Sequence, residues 1–251
     1  MSTPASTGGV VRSTVAPDAL RPTVVAGVMR IDPHRVRLRL VPGSREPRPG
    51  ILSEGTVPVR DRSRLLAAFN AGFKMRQSAG GWFSEGVTAV PLVAGAASLV
   101  LRDDGSAQVG LWGRDASMDS HVVAVRQNLG LLVDGGAPTA AVGTTDYEGV
   151  WGHTIHRLVH VPRSGIGITA DGSLVYVAGN DLYVAELAQA LVDAGAVRAM
   201  ELDINPQFVA AYTFVPGPLG PMGQDLVPGL RDGPEHYFRP QERDFVEVLS
   251  T

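Results

Sequence analysis

The sequence predicts a β-rich fold in one large domain, and three observations carry that expectation. Thirty glycines and eighteen prolines stand against 6% aromatic residues in a chain of 251, a composition suited to many short strands joined by tight turns. At 44% hydrophobic, the chain has enough apolar surface for a sizeable core. No solenoid-period repeat or composition break marks a second domain.

The elements follow in order. Residues 1–20 are small and polar without periodicity and are expected to form a flexible N-terminal arm, leaving residues 21–251 as the domain. "TVVAGVMRID" and "HRVRLRLVPG" alternate or run apolar between Pro and Gly breakers and read as strands. The basic residues of "RIDPHRVRLRL" fall at the period of a half-exposed strand. "LLAAFNAGF" reads as a buried strand, and "KMRQSAGGWFSEG", with its paired glycines, as a loop that bends over something. Asp104-Gly105 and Asp171-Gly172 each sit between two apolar runs and predict hairpins, because Gly supplies the positive φ that such turns demand. Asn180 or Asp181 can cap a helix from Leu182 to about Ala194, with Leu182, Leu187 and Leu191 on one face and Gly195 as its stop. "AVRAMELDI" follows as a strand. Residues 215–240 are so dense in Pro and Gly that a long ordered loop or lid is expected, before "RDFVEVL" closes the fold as a strand.

Composition also bounds function. A formal charge of −3 provides no electrostatic footprint for nucleic acid. The absence of cysteine excludes disulfides, thiolate nucleophiles and zinc-cysteine sites. No stretch approaches the eighteen or so apolar residues of a membrane span, so the chain as written is expected to be soluble. Its first residues have no signal-peptide pattern, although Met-Ser-Thr-Pro would equally suit an expression start placed after a removed signal or anchor.

Four segments share one grammar, an apolar strand that delivers polar side chains beside small residues at its end. They are "AAFNAGF" with Asn70, "LGLLVDGG" with Asp134, "HVPRSGIGI" with Arg163 and Ser164, and "AMELDINPQF" with Glu201, Asp203 and Asn205. Glycine beside a polar group lets a ligand approach the backbone. Glu201 and Asp203 lie two apart, so on a strand they share a face; two close carboxylates can work as acid and base, or bind a divalent cation through oxygen. The competing reading pairs them with arginines such as Arg163 or Arg198. Arg163 can clamp a phosphate or carboxylate in bidentate fashion, or form an ion pair with Asp203. For Asp134 the rival is a turn, and for Asn70 it is simple satisfaction of a buried amide. Glu85, beside Trp82 and Phe83, offers an acid at a sugar-stacking edge. His153, His156 and His160 would align for a metal only on a helix, which Trp151, Gly152 and the β-branched residues around them argue against; one of them, His153 first, remains as a proton shuttle or phosphate donor.

The ordered set "FNAGF", "QNLGLLVDGG", "PRSGIGITADGSLVYV" and "ALVDAGAVRAMELD" resembles the phosphodiester glycosidase family over roughly residues 60–214. The C-terminal "DLVPGLRDGPEHYFRP" through "RDF" is similar to the tail of an actinobacterial, cell-envelope branch. The resemblance implies a single α+β domain with a mixed, largely antiparallel sheet and few helices, and cleavage between a sugar's anomeric carbon and a phosphodiester. It places pocket positions at Asn70, Asp134, Arg163 and Asp203. Where many members read N-L-D-G-G-G-S, this chain reads Glu201-Leu202-Asp203-Ile204-Asn205-Pro206-Gln207, so the aspartate is kept and the glycine loop is replaced by a stiffer one.

The expectation is therefore a glycosidic-bond hydrolase, with Asp203, Glu201 and Asp134 catalytic and Asn70, Arg163, Ser164, Glu85, His153 and Asn205 contacting substrate. Its partner is a carbohydrate or glycan-phosphate, and its place is extracellular or in the cell envelope. Two alternatives stand beside it. One is a non-catalytic glycan-binding domain of the same fold; the other is a metal-dependent phosphodiesterase that holds calcium or magnesium on Glu201, Asp203 and Asp134.

Overall fold

A computed structural model describes residues 5–47, 53–143, 150–154, 156, 158–218, 220–227, 229 and 233–251. Three sheets make up the molecule. The largest runs, in spatial order, β1 (Ala5–Thr7), β2 (Val10–Val15), β3 (Ala26–Ile31), β14 (Leu174–Leu182), β13 (Val161–Thr169), β15 (Ala196–Glu201), β11 (Leu131–Asp134) and β12 (Ala137–Pro138). A second has the order β7 (Val87–Val90), β6 (Trp82–Ser84), β10 (Val122–Gln127), β8 (Ala97–Arg102) and β9 (Ala107–Leu111). The third has the order β17 (Met222–Asp225), β16 (Ala211–Val215), β5 (Leu65–Asn70), β18 (Phe245–Ser250) and β4 (Val36–Val41).

Among the described residues every pairing of named strands is antiparallel, so the expected largely antiparallel character holds, without the parallel pairings that a mixed sheet would have. The α-helices described are α1 (Val59–Arg62) and α2 (Val184–Asp193). The fold is thus largely β, and the α+β label fits loosely.

One core lies between the sheets and takes Met29, Ile31, Leu38, Phe69, Leu99, Ile166, Tyr176, Met200 and Val246. On the far face of the largest sheet, α2 lays Val184, Leu187, Ala188 and Leu191 over Val175, Val177, Leu132 and Ala199. A strand covered on both faces reads as a continuous apolar run, which explains "LVYVAG" in β14. The helix begins two residues later than expected. The ladder to β13 continues to Leu182, and the Glu186 carboxylate accepts the Tyr183 N–H at 2.7 Å, so Tyr183 becomes the cap in place of Asn180 or Asp181.

The glycines of β13 serve packing, correcting the expectation that they admit a ligand. A Cβ at Gly165 would lie 2.9 Å from Leu191 Cδ1 and 3.0 Å from the Met200 carbonyl. Gly165→Ala is accordingly expected to cost ~1–3 kcal/mol through overpacking, read as a lower urea midpoint with an unchanged m-value.

The N-terminal arm is not free as expected. Its described residues form β1 and β2, and β2 pairs along the whole of β3. The small β-tolerant residues of "VVRSTV" suit a strand next to the sheet's edge, with Val10 buried and the other five half-buried. Residues 215–240 likewise hold an edge strand, β17, paired with β16; prolines are tolerated around a strand that needs hydrogen bonds on one side only.

Candidate active site

The ends of β5, β15 and β18, with the turn after Val150, surround a cavity of about 390 Å³. Phe73, Lys74, Arg76 and Gln77 reach it from the loop after β5, Gly152 and His153 from the turn, Asp203, Ile204, Asn205 and Phe208 from beyond β15, and Arg243 from the entry to β18. The loop "KMRQ" thus bends over something, as its composition implied. No described residue of 215–240 lines this cavity, so none of the described part of that stretch serves as its lid.

Asp203 is 1% exposed and fully engaged. Its Oδ2 accepts from Arg243 Nη2 at 2.6 Å, and its Oδ1 accepts the N–H groups of Ile204 and Asn205, both at 2.8 Å. Burial pushes its carboxyl above the ordinary carboxylate range, opposed by Arg243 and these two amides. The turn around Oδ1 gives the stiffened loop its local logic. Two amides that a glycine loop would leave free to fold around an anion here point at Asp203 itself, and Asn205 Oδ1 takes the next, from Gln207, at 2.8 Å.

Arg243 supplies the cation opposite. Its guanidinium lies 4.3 Å from the centroid of the Phe208 ring, and its Nε and Nη1 are buried without a hydrogen-bond partner. Lys74 Nζ stands over the same ring at 5.9 Å. With Arg76, the cavity carries three cationic side chains and one acidic one, a balance that favours an anionic ligand.

Of the residues expected in the site, Asp203, Asn205 and His153 line the cavity. The next layer holds four that were expected to meet substrate and are instead buried supports. Arg163 is 5% exposed and donates to Glu201 Oε1 at 2.6 Å and to the Leu182 carbonyl at 2.9 Å. It cannot clamp a phosphate from there, and its ion pair is with Glu201, not Asp203. Glu201 is fully buried, so it does not stand in the cavity as a second catalytic carboxylate; burial, partly offset by Arg163, raises its pKa to about 7. Asn70 donates to Ser164 Oγ at 3.0 Å and accepts from the Tyr176 hydroxyl at 2.8 Å. Ser164 Oγ in turn accepts the Asp203 N–H at 3.2 Å. These two hold the Asp203 backbone rather than a ligand.

Two residues lie elsewhere. Asp134 ends β11 in a tight turn in which Gly135 and Gly136 both have positive φ, and it pairs with Arg114 at 2.8 Å and Arg198 at 3.3 Å. The turn explanation holds, and the three-carboxylate metal set is not assembled; among the described residues no cluster of three His, Cys, Asp or Glu could hold an ion. Glu85 occupies a positive-φ turn between β6 and β7 and faces a different cavity of about 510 Å³ along β4. The three histidines are not brought together at the smaller cavity: His156 has a positive φ of 58°, and among the described residues His153 is the one of the three that lines it.

Lys74, Arg76, Phe208 and Arg243 were missed by sequence reasoning. Lys74 and Arg76 were visible as the basic residues of a loop already expected to cover something. Arg243 is forty positions from Asp203, and no local pattern joins them.

The model of the phosphodiester glycosidase family matches residues 63–203. Among solved structures, the catalytic domain of zebrafish N-acetylglucosamine-1-phosphodiester alpha-N-acetylglucosaminidase, auto-inhibited by its pro-peptide, is similar with a TM-score of 0.59 at 18% identity, over 96% of this chain and 82% of that one. A hypothetical protein from Synechocystis is similar with a TM-score of 0.58 at 13% identity, over 97% of this chain and 62% of that one. At such identities the likeness is one of fold. Comparison with curated protein sequences finds no match.

Proposed function

Because the chain belongs to the phosphodiester glycosidase family, we propose that it hydrolyses a glycosidic bond whose leaving group is a phosphodiester or another anionic part of a cell-envelope glycan, acting in the envelope or outside the cell. The single observation that carries this reading is a cavity in which Lys74, Arg76 and Arg243 surround the carboxylate of Asp203. A phosphate leaving group departs as a stable anion and needs little proton donation, so neutralising charge is the main demand on that side of the bond. The guanidinium charge of Arg243 and the ammonium of Lys74, both at the cavity wall, meet it. On the sugar side, Asp203 stabilises the positive charge that builds on the anomeric carbon. His153, exposed at the rim, carries protons to and from the attacking water.

The test is a substrate panel. Sugar-1-phosphodiesters are expected to be hydrolysed, and neutral aryl glycosides of the same sugars to react at least tenfold more slowly in kcat/KM. Equal rates on both would remove the role of the cationic wall. Saccharide binding without any hydrolysis would turn the reading to a glycan-binding domain.

A further inference from the structure

β10 and the residue after it carry three consecutive polar residues, Arg126, Gln127 and Asn128, each exposed by 1% or less. Such a run is costly to bury unless every group finds a partner. Gln127 spends its amide away from the cavity. Its Oε1 accepts the N–H groups of Gly81 and Val93 at 2.8 and 2.7 Å, and its Nε2 donates to the Val93 carbonyl at 3.1 Å and to Ser98 Oγ at 3.0 Å.

Its two neighbours converge instead on the two backbone polar groups of one residue, Phe73. Asn128 Oδ1 accepts the Phe73 N–H at 3.2 Å, and Arg126 Nη2 donates to the Phe73 carbonyl. Each has a second grip. Arg126 Nε donates to Asp244 Oδ2 at 2.7 Å, while Asn128 Nδ2 donates to the carbonyls of Glu201 at 2.7 Å and Leu202 at 3.1 Å. The chain at Gly72 lies close on the guanidinium, since a Cβ there would be 3.0 Å from its central carbon. Phe73 precedes Lys74, Asp244 follows Arg243, and Leu202 precedes Asp203. Two side chains therefore tie together the residues next to three charged groups of the cavity, by backbone at Phe73, Glu201 and Leu202 and by the carboxylate at Asp244.

We infer that Arg126 and Asn128 are positioning residues that fix the spacing between the Lys74 and Arg243 cations and the Asp203 carboxylate, an inference that rests on the anionic-substrate reading of that cavity. Gln127 is the internal control, equally buried yet bonded elsewhere.

The test compares Arg126→Lys, Asn128→Ala and Gln127→Met. Arg126→Lys keeps a cation beside Asp244 and loses the fork to Phe73. The Kd of inorganic phosphate, measured by calorimetry, is expected to rise about tenfold in the first two variants, with KM for a sugar-1-phosphodiester following it. Gln127→Met is expected to lower the melting temperature and leave that Kd unchanged. Crystal structures of the first two should show Phe73 and Lys74 displaced from Asp203. An unchanged phosphate Kd together with unmoved Lys74 and Asp203 overturns the inference, as does an equal rise in Kd for Gln127→Met. If the wild-type protein binds no phosphate, the anionic-substrate reading fails. The variant crystal structures then decide the positioning role by themselves, a displaced Phe73 supporting it and an unmoved one overturning it.

Discussion

Asp203→Asn is expected to lower kcat on a sugar-1-phosphodiester by roughly 10²–10³-fold while tightening the binding of inorganic phosphate. The two effects share one cause. The amide is isosteric, and its oxygen can still accept the Ile204 and Asn205 N–H groups that Asp203 Oδ1 takes at 2.8 Å. What disappears is the negative charge, which in the wild-type protein stabilises positive charge on the sugar and also holds Arg243 at 2.6 Å. Freed of that counter-charge, Arg243 turns its whole guanidinium charge toward an anion. Turnover and phosphate affinity should therefore move in opposite directions, whereas a merely misfolded variant would lose both. Retained kcat would take Asp203 out of the mechanism.

Arg163→Met is expected to have the largest effect on stability, and one that depends on pH. It leaves Glu201 fully buried without its cation, a change of ~3–5 kcal/mol when one partner of a buried pair is removed. For a chain of this length that corresponds to roughly 10 °C in melting temperature. The sign with pH follows from the raised pKa. Burial lifts Glu201 from 4.5 to about 7 even with Arg163 beside it, and removing Arg163 can only lift it further. Between these values the folded protein binds the proton more tightly than the unfolded chain does. Stability from this group is therefore full below about 4.5 and is lost as pH rises through the folded value. Urea unfolding of Arg163→Met should show a modest deficit at pH 5 and most of the loss at pH 8. The double variant Arg163→Met/Glu201→Leu should flatten this dependence, and an equal deficit at both pH values would refute the account.

What could be read from the sequence was local. The turns at Asp104-Gly105 and Asp171-Gly172 declare their hairpins because the φ requirement lies within four residues. Asp203, Asn205 and His153 were found by their setting at strand ends or beside glycine. The partners of those residues were not legible. Arg163 meets Glu201 because β13 and β15 pair Gly165 opposite Glu201, a register set by the packing of the whole sheet. Asp203 meets Arg243 because β5 lies beside β18, which brings the end of the chain to the site. The same limitation explains Asp134, whose Asp-Gly-Gly looked like a ligand-admitting strand end and is a turn paired with two surface arginines. It also explains the first residues of the chain, whose small side chains read as an arm until β3 gives them a strand to join.

That joining has a consequence for how copies of the protein meet one another. Among the described residues, the sheet that carries Arg163, Ser164 and Glu201 ends in a strand of three residues on one side, Ala5–Thr7, and of two on the other, Ala137–Pro138. Edges this short present few unpaired backbone groups to a neighbouring chain, and the proline removes a donor from one of them. The strands that build the site are thus screened from edge-to-edge association by the two shortest strands of their own sheet.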